Sequence, residues 1–435
     1  MAQVTRNRVL AIVMGLAPAR GRLNNLSSAL ESGRRLSGTA NHATRAALVV
    51  AEVALAMMLL VGAGLLGRSL VRLMGVDVGF DTSHLLTLEI NSTGPRYASD
   101  SSVFDYHDRV REAVSALPGV VGVAVANQLP LGGNVDMYGV ADVDDPPANP
   151  EQVPFGDRYA VSIDYLATMR IPILTGRGFA AADASEGANK MALVSDALAR
   201  RLWPNESAIG KRIRVGGKDG PPRTVIGVTG NIHHSGLDAK ATMQWYVPER
   251  QMFFADNQEA LAVRTTGDPA ALAPAVRRAI AAIDPTQPIV KIATMDDLVS
   301  ASTSQRRLAL VLFGAFAAAA LLLAVAGIYG VLAGTVSERT REIGVRSALG
   351  ATPTSLVGMI VGQGGRLAGL GIVLGLAGSF GLTRYLQSLL FGVPPNDLMT
   401  LAGVCLLTAG VTLAACLVPS ARAARVDPSA ALRSE

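Results

Sequence analysis

Gly210-Lys211 has the ending of a phosphate-binding loop, in which backbone N–H groups cradle phosphate and the lysine neutralises it. No glycine lies five residues before Gly210, and Arg212 stands where a Ser or Thr must reach Mg²⁺, so nucleotide chemistry is not expected there. His233-His234 could offer imidazole to a metal. Adjacent side chains on a strand point to opposite faces, however, and no Cys or spaced acidic partner follows, so the pair reads as surface or turn histidines. Ser195 lacks a G-x-S-x-G setting and reads as the cap of the helix after it. Asp144-Asp145-Pro146-Pro147 reads as a solvated loop, and Cys405 and Cys416, eleven residues apart, as small packing residues on nearly one helical face. With no nucleophile and base set, no catalytic residue, metal or cofactor is assigned, and a membrane-tethered hydrolase is disfavoured.

Two other sites remain. Glu52 lies inside an apolar run, where a carboxylate is costly and is by default a functional candidate; snorkelling or a contact with a neighbouring helix is the plainer alternative. The run Ser337 to Ala351 is charged: Glu342 precedes Arg346 by four residues, the better orientation for a helical ion pair. Gly350 can end that helix and Thr352-Pro353 can cap the next. A short charged helix held at both ends by apolar runs would move both when pushed, and a solvated connector is the alternative.

The elements that must position these residues follow from hydropathy. Half of the 435 residues are hydrophobic and 17% are charged, too apolar a mixture for a purely soluble protein. Apolar runs at 46–66, 309–330, 367–382 with a lead-in from 356, and 398–418 match or approach the length needed to cross a bilayer. Gly358, Gly362, Gly365 and Gly369 form a small-residue stripe, and Gly371 with Gly375 a second pair, which predicts close helix packing within or between copies. Arginines cluster before the first run, between the second and third, and after the fourth, whereas 385–397 has no Lys or Arg. The positive-inside rule then places both termini and the middle loop in the cytoplasm and the large central region outside. The net charge of +5 thus reports topology, and no basic patch with interleaved aromatics suggests a nucleic-acid partner.

Between the first and second runs the pattern is mixed α and β. Strands are expected at 85–91, 120–127, 259–265 and 289–292, with helices at 102–117 and 269–283, the latter capped by Asp268. Two such βαβ-like units suggest a ferredoxin-like split sheet with a second lobe, roughly 155–251, inserted between them. That lobe should hold a strand at 224–229 and a helix near 195–203. The expected divisions are a cytoplasmic segment 1–45, a first transmembrane helix 46–71, an extracytoplasmic domain 72–306, a three-helix domain 307–420 and a cytoplasmic tail 421–435.

The amino terminus imitates a secretory signal, with Arg6, Arg8, an apolar run 9–16 and Ala17-Pro18-Ala19, but cleavage there would leave arginines 20–45 outside. An internal echo accounts for it better. Gly15 to Arg20 followed by Leu26 to Leu30 parallels Cys416 to Arg422 followed by Pro428 to Leu432, as if the chain began in the tail of a preceding copy.

The run Glu338 to Ala351, the opening Val49 to Leu55 and the tail Pro419 to Leu432 resemble the MacB-like/FtsX-like family of ABC transporter permeases. Leu202-Trp203-Pro204-Asn205-Glu206, Ile209 to Ile213 and Val225 to Val228 resemble that family's periplasmic core domain, so the similarity covers about 45–435. The resemblance implies an integral membrane protein of the bacterial inner membrane with four transmembrane helices and a large extracytoplasmic α+β domain. It implies that a separate ATPase subunit docks on Glu338, Arg339, Arg341, Glu342 and Arg346, that ATP is used on that partner, and that a second permease copy or half completes the assembly. The echo resembles the tandem-duplicated permeases of the family, of which this would be the second half. Export or extraction of a hydrophobic or peptide-like substrate follows as the expected function; a non-transporting regulator that activates an envelope enzyme by the same motion is the alternative.

Overall fold

Where water is scarce, backbone N–H and C=O groups must find partners within the protein, and this rule organises both parts of the chain. The computed structural model describes residues 29–423 apart from 185–188, 218–219, 240–241, 253, 341, 343–344, 347–348 and 350. The amino-terminal echo, the signal-like run and the tail beyond 423 lie outside the described residues. The chain divides into a helical unit, formed by residues up to 64, 313–387 and from 395 onward, and an α+β unit of 65–312 and 388–394.

Helix α1 spans Ala29–Met74. The α+β unit follows with β1 (Leu85–Asn91), α2 (Asp100–Ser115) and β2 (Val120–Ala126). Ser99 caps α2 by accepting from the Ser102 N–H, and Val103, Tyr106, His107, Val110 and Val114 recur at helical spacing on its buried face. Next come β3 (Met137–Asp142), β4 (Phe155–Val161), α3 (Tyr165–Met169), β5 (Ile173–Gly176), β6 (Met191–Ser195) and α4 (Asp196–Leu202). Strands β7 (Arg212–Val215), β8 (Arg223–Thr229), β9 (Gln244–Pro248) and β10 (Gln258–Thr265) lead to α5 (Pro269–Ile283), β11 (Ile289–Thr294) and α6 (Met295–Ser302).

One sheet runs through the unit. Its first part has the antiparallel order β11-β1-β10-β2, so the strands of the two β–α–β segments interleave. Helices α2 and α5 cover one face, with Val110, Val114, Val276 and Ile280 packed on Leu86, Leu88, Val123, Leu261 and Val263. The sheet continues through the pair Ala126↔Val161 into β4 and then closes on itself. Pairings β4–β3, β3–β7, β7–β8, β8–β6, β6–β9 and β9–β4 form a ring, with β5 added beside β8. Closure gives every ring strand two neighbours. Val140, Val194, Ile213, Val225, Trp245 and Val247 belong to its buried core. The inserted part is therefore wider than the expected 155–251: it begins with β3 at Met137, and it shares the sheet with the flanking units instead of standing apart from it.

Polar side chains pin the ring. Asp142 accepts from the Trp203 indole at 2.6 Å. Ser195 caps α4 as expected and also accepts from the Gln244 N–H at 2.9 Å. The histidine expectation fails for His234, which is buried in a loop with Nδ1 2.6 Å from the Tyr159 hydroxyl and Nε2 2.8 Å from the Asn134 carbonyl. Gly210 sits in a left-handed turn at φ +84°, and Lys211 pairs with Glu206 at 2.7 Å, so neither is arranged around a phosphate.

In the helical unit, α7 (Ser304–Glu338), α8 (Pro353–Leu386) and α9 (Leu398–Ala423) join the amino-terminal part of α1. All four helices are long and apolar enough to cross a membrane. They extend beyond the hydropathy limits because Ser304 to Arg307 and the glycine-rich stretch around Arg366 contain no proline to break them. Val49, Val53, Ala324, Ile328, Leu332, Ile360, Ala415 and Cys416 form the interior, and Phe316, Leu322, Leu374, Leu406 and Leu417 are exposed, an apolar exterior suited to lipid.

Arg158 on β4 shows what the α+β unit stakes on buried charge. The guanidinium, buried itself, donates to Asp136 at 2.6 Å and, through two nitrogens, to Asp256 at 2.6 and 3.0 Å. Arg158→Ala strands both carboxylates and should cost about 3 kcal/mol in thermal or urea unfolding of the full chain in detergent. Arg158→Lys, which cannot make the forked contact, should fall between the two.

Candidate functional site

The charged segment starts where α7 stops. The Arg339 N–H still donates to the Thr335 carbonyl at 3.0 Å, and the Thr340 hydroxyl turns back to Val336 O at 2.9 Å. Glu338 and Arg339 are exposed. One turn on, Glu342 and Arg346 make the expected ion pair at 2.6 Å, each side chain about half exposed, and an Arg346 nitrogen lies 3.2 Å from Met359 Sδ. Arg341 lies outside the described residues. Val345 and Leu349, one helical turn apart and linked by a 3.0 Å backbone bond, are 41% and 83% exposed. Sequence reasoning passed over this apolar pair, although the i, i+4 spacing was available. Thr352 then caps α8, as expected, through the Ser355 N–H. The segment thus offers charge of both signs beside the largely bare Leu349 and the partly exposed Val345. Among its described residues no group is placed for bond-making chemistry.

Glu52 is half-buried on α1, with Oε2 shielded from solvent and without a hydrogen-bond partner among the described residues. It lies over Gly327 of α7, where a Cβ would sit 2.5 Å from that oxygen and 3.1 Å from Val49. The glycine leaves the room the carboxylate occupies.

The other glycines divide into two groups. A Cβ on Gly371 would stand 2.6 Å from Val53 Cβ and 3.1 Å from the Val50 carbonyl; one on Gly375 would stand 2.6 Å from Met57 Cβ and 2.9 Å from the Ala54 carbonyl. These two let α1 and α8 approach backbone to backbone. Gly378 makes room for the Met58 side chain of α1 and Gly364 for the Cys416 side chain of α9, and both were missed in the sequence. A Cβ on Gly358, Gly362, Gly365 or Gly369 would meet no described residue within 4 Å, so the predicted stripe has room to spare, exposed at Gly358 and Gly362 and lining a crevice beside Ala409, Thr412 and Leu413 of α9 at Gly365 and Gly369.

The MacB-like periplasmic core domain family matches residues 46–283, and the FtsX-like permease C-terminal family matches 314–428. The chain belongs to the MacB-like and FtsX-like ABC transporter permeases. The permease is 22% identical over 276 residues to the uncharacterized ABC transporter permease YknZ of Bacillus subtilis (strain 168), covering 62% of this chain and 68% of that one. It is 36% identical over 138 residues to the pyoverdine export ATP-binding/permease protein PvdT of Pseudomonas savastanoi pv. phaseolicola, covering 30% of this chain and 20% of the relative. It therefore spans about two thirds of one such relative and a fifth of the other. The periplasmic region of MacB from Actinobacillus actinomycetemcomitans aligns with 54% of this chain and 97% of that one, at 12% identity and a TM-score of 0.35.

The two glycine groups respond differently to one added methyl. Gly375→Ala pushes on Met57 Cβ and a backbone carbonyl, neither free to swing away, and should destabilise the permease by about 1–3 kcal/mol. Gly362→Ala adds a methyl to open space and should be neutral or stabilise by up to about 1 kcal/mol through helix propensity. Thermal unfolding in detergent, followed by size exclusion, ranks the two.

Proposed function

We propose that this permease relays the closure of a separate ATP-hydrolysing subunit to its α+β domain, and thereby exports or extracts a hydrophobic or peptide-like substrate. The observation that carries the reading is the segment Glu338, Arg339, Glu342 and Arg346, exposed beside the partly exposed Val345 and the largely bare Leu349 at the end of a membrane-length helix, in a chain matched by both permease families. Charge selects and orients a partner while the apolar pair supplies burial once docked. ATP is bound by the partner in this reading, and no cofactor is assigned to the chain itself. The names of relatives such as the pyoverdine export protein favour export over pure regulation.

The arginine distribution supports an inner-membrane topology with both termini and the 338–346 segment cytoplasmic and the α+β domain outside. We read the interleaved order β11-β1-β10-β2 as a ferredoxin-like split pairing that carries the closed ring between its halves. The open glycine face of α8 suits a second permease copy or half, with lipid as its other cover.

Reversing charge in Arg339→Glu with Glu342→Lys tests the relay. In proteoliposomes with the cognate ATPase, ATP-dependent distance changes between probes on the α+β domain should drop at least about tenfold, an effect of roughly 1.4 kcal/mol at the docking step. The melting temperature should hold, because exposed ion pairs contribute little to folding. Undiminished ATP-driven movement in the double variant would rule out this segment as the docking surface.

A further inference from the structure

One cluster of titratable side chains lies in the α+β unit, far in sequence from the charged segment. His107 projects from α2, Glu249 from the 3-10 turn Glu249–Gln251 that follows β9, and Glu259 from β10. All three are buried, at 0%, 8% and 1% relative exposure. His107 Nδ1 lies 3.7 Å from Glu249 Oε2 and 3.9 Å from Glu259 Oε1, and one donor atom from each residue falls within 4.8 Å of the other two. Both ring nitrogens of His107 and an oxygen of each glutamate have no hydrogen-bond partner among the described residues.

Buried polar atoms are rarely left so, and two carboxylates side by side in a protein interior are costlier still. The neighbouring cations Arg158 and Arg250 act on Glu259 and Glu249 through space, but their hydrogen bonds go elsewhere. Arg158 is held by Asp136 and Asp256, and Arg250 by Asp108 at 2.5 Å and Asp105 at 3.7 Å. A water could bridge the donors but would leave the charge uncompensated. A protonated imidazole offsets one carboxylate of the two, and burial beside Glu249 and Asp256 favours the neutral acid at Glu259 when no cation is bound. A divalent cation with a neutral imidazole offsets both.

The geometry points to a structural metal site formed by His107, Glu249 and Glu259, taking a divalent first-row transition ion of the zinc or manganese class. Two donors bound at ~2.1 Å with a tetrahedral angle stand ~3.4 Å apart, so the observed 3.7 and 3.9 Å from His107 need close by only a few tenths of an ångström, while the two carboxylates, within 4.8 Å of each other, must draw together by their own rotation. One imidazole with two carboxylates suits such an ion better than calcium, which takes six to eight oxygens. The site is sealed from solvent, which fits a clamp and not a catalyst. It ties α2 and β10, from the two β–α–β segments, to the turn leaving the ring. The turn is already pinned to α2 from outside by Arg250 and Asp108, each the next residue after a proposed ligand. The donors lie in three separate stretches, so no ligand-spacing motif marks them, and the sequence reading assigned no metal.

The test uses untagged full-length permease in detergent, incubated with zinc, manganese or calcium chloride, passed over chelating resin and assayed by elemental analysis. Native chain should retain close to one zinc or manganese ion, with affinity lowered at least about tenfold in His107→Asn and in Glu259→Gln. Zinc should raise the native melting temperature and EDTA lower it, and neither should move the variants. If both variants fail to fold, native stoichiometry and the native EDTA shift decide alone. Retention of no zinc or manganese by native chain, preferential retention of calcium, or equal retention by folded variants would overturn the site.

Discussion

The structure depends throughout on satisfying backbone hydrogen bonds where water does not reach. Past the first turn of the four long helices N–H groups find the carbonyl one turn back, Pro419 of α9 having none to give, and 26 to 46 residues of chain run on as helix. In the inserted part of the α+β unit the same demand is met between strands, and the ring β4-β3-β7-β8-β6-β9 gives each strand a partner on both sides. Side chains then supply the bonds that regular structure cannot. Ser195 Oγ serves both the start of α4 and the Gln244 N–H, and Ser99, Thr294 and Thr352 cap their own helices.

How much of this could be read from the chain depended on whether the signal was local. The β–α–β segments were legible because periodicity and caps such as Asp268 lie within a dozen residues of each other, and their strands came out within a residue or two. Strand β3 escaped because its Met137, Tyr138 and Gly139 are exposed or half-buried, so no apolar alternation marks it. Ring closure escaped for another reason. It rests on parallel pairings β4–β9 and β6–β8, between strands distant in sequence, which no spacing announces. His234 fell to the same limit: its partners Tyr159 and Asn134 are brought in by the fold.

The glycines of α8 make the point at one helix. Composition showed that small residues abound, but they lie on more than one face, and which face meets α1 is fixed by the rotation of α8 about its axis. Val53 and Met57 select Gly371 and Gly375, Cys416 selects Gly364, and Gly358, Gly362, Gly365 and Gly369 stay open. The sequence held the means for close approach and left the choice of neighbour to tertiary packing. Glu52 was visible as an anomaly, whereas the space it needs is supplied by Gly327, more than two hundred residues later.

The exposed charge of the 338–346 segment is hard to explain as stabilisation. An i, i+4 pair such as Glu342 and Arg346 contributes about 0.3–0.5 kcal/mol to a helix, and less when screened by salt. Leaving Leu349 largely bare and Val345 partly exposed beside it works against solubility, at roughly 25 cal/mol for each Å² of apolar surface kept wet. Together they do little for the free chain, and under the proposed docking the apolar pair would be covered and the charges would gain complementary partners at lower dielectric. In the proposed complex that balance would favour the docked state over the isolated permease, which is the energetic condition a surface must meet if binding on one side of a membrane is to be felt through the helix that carries it.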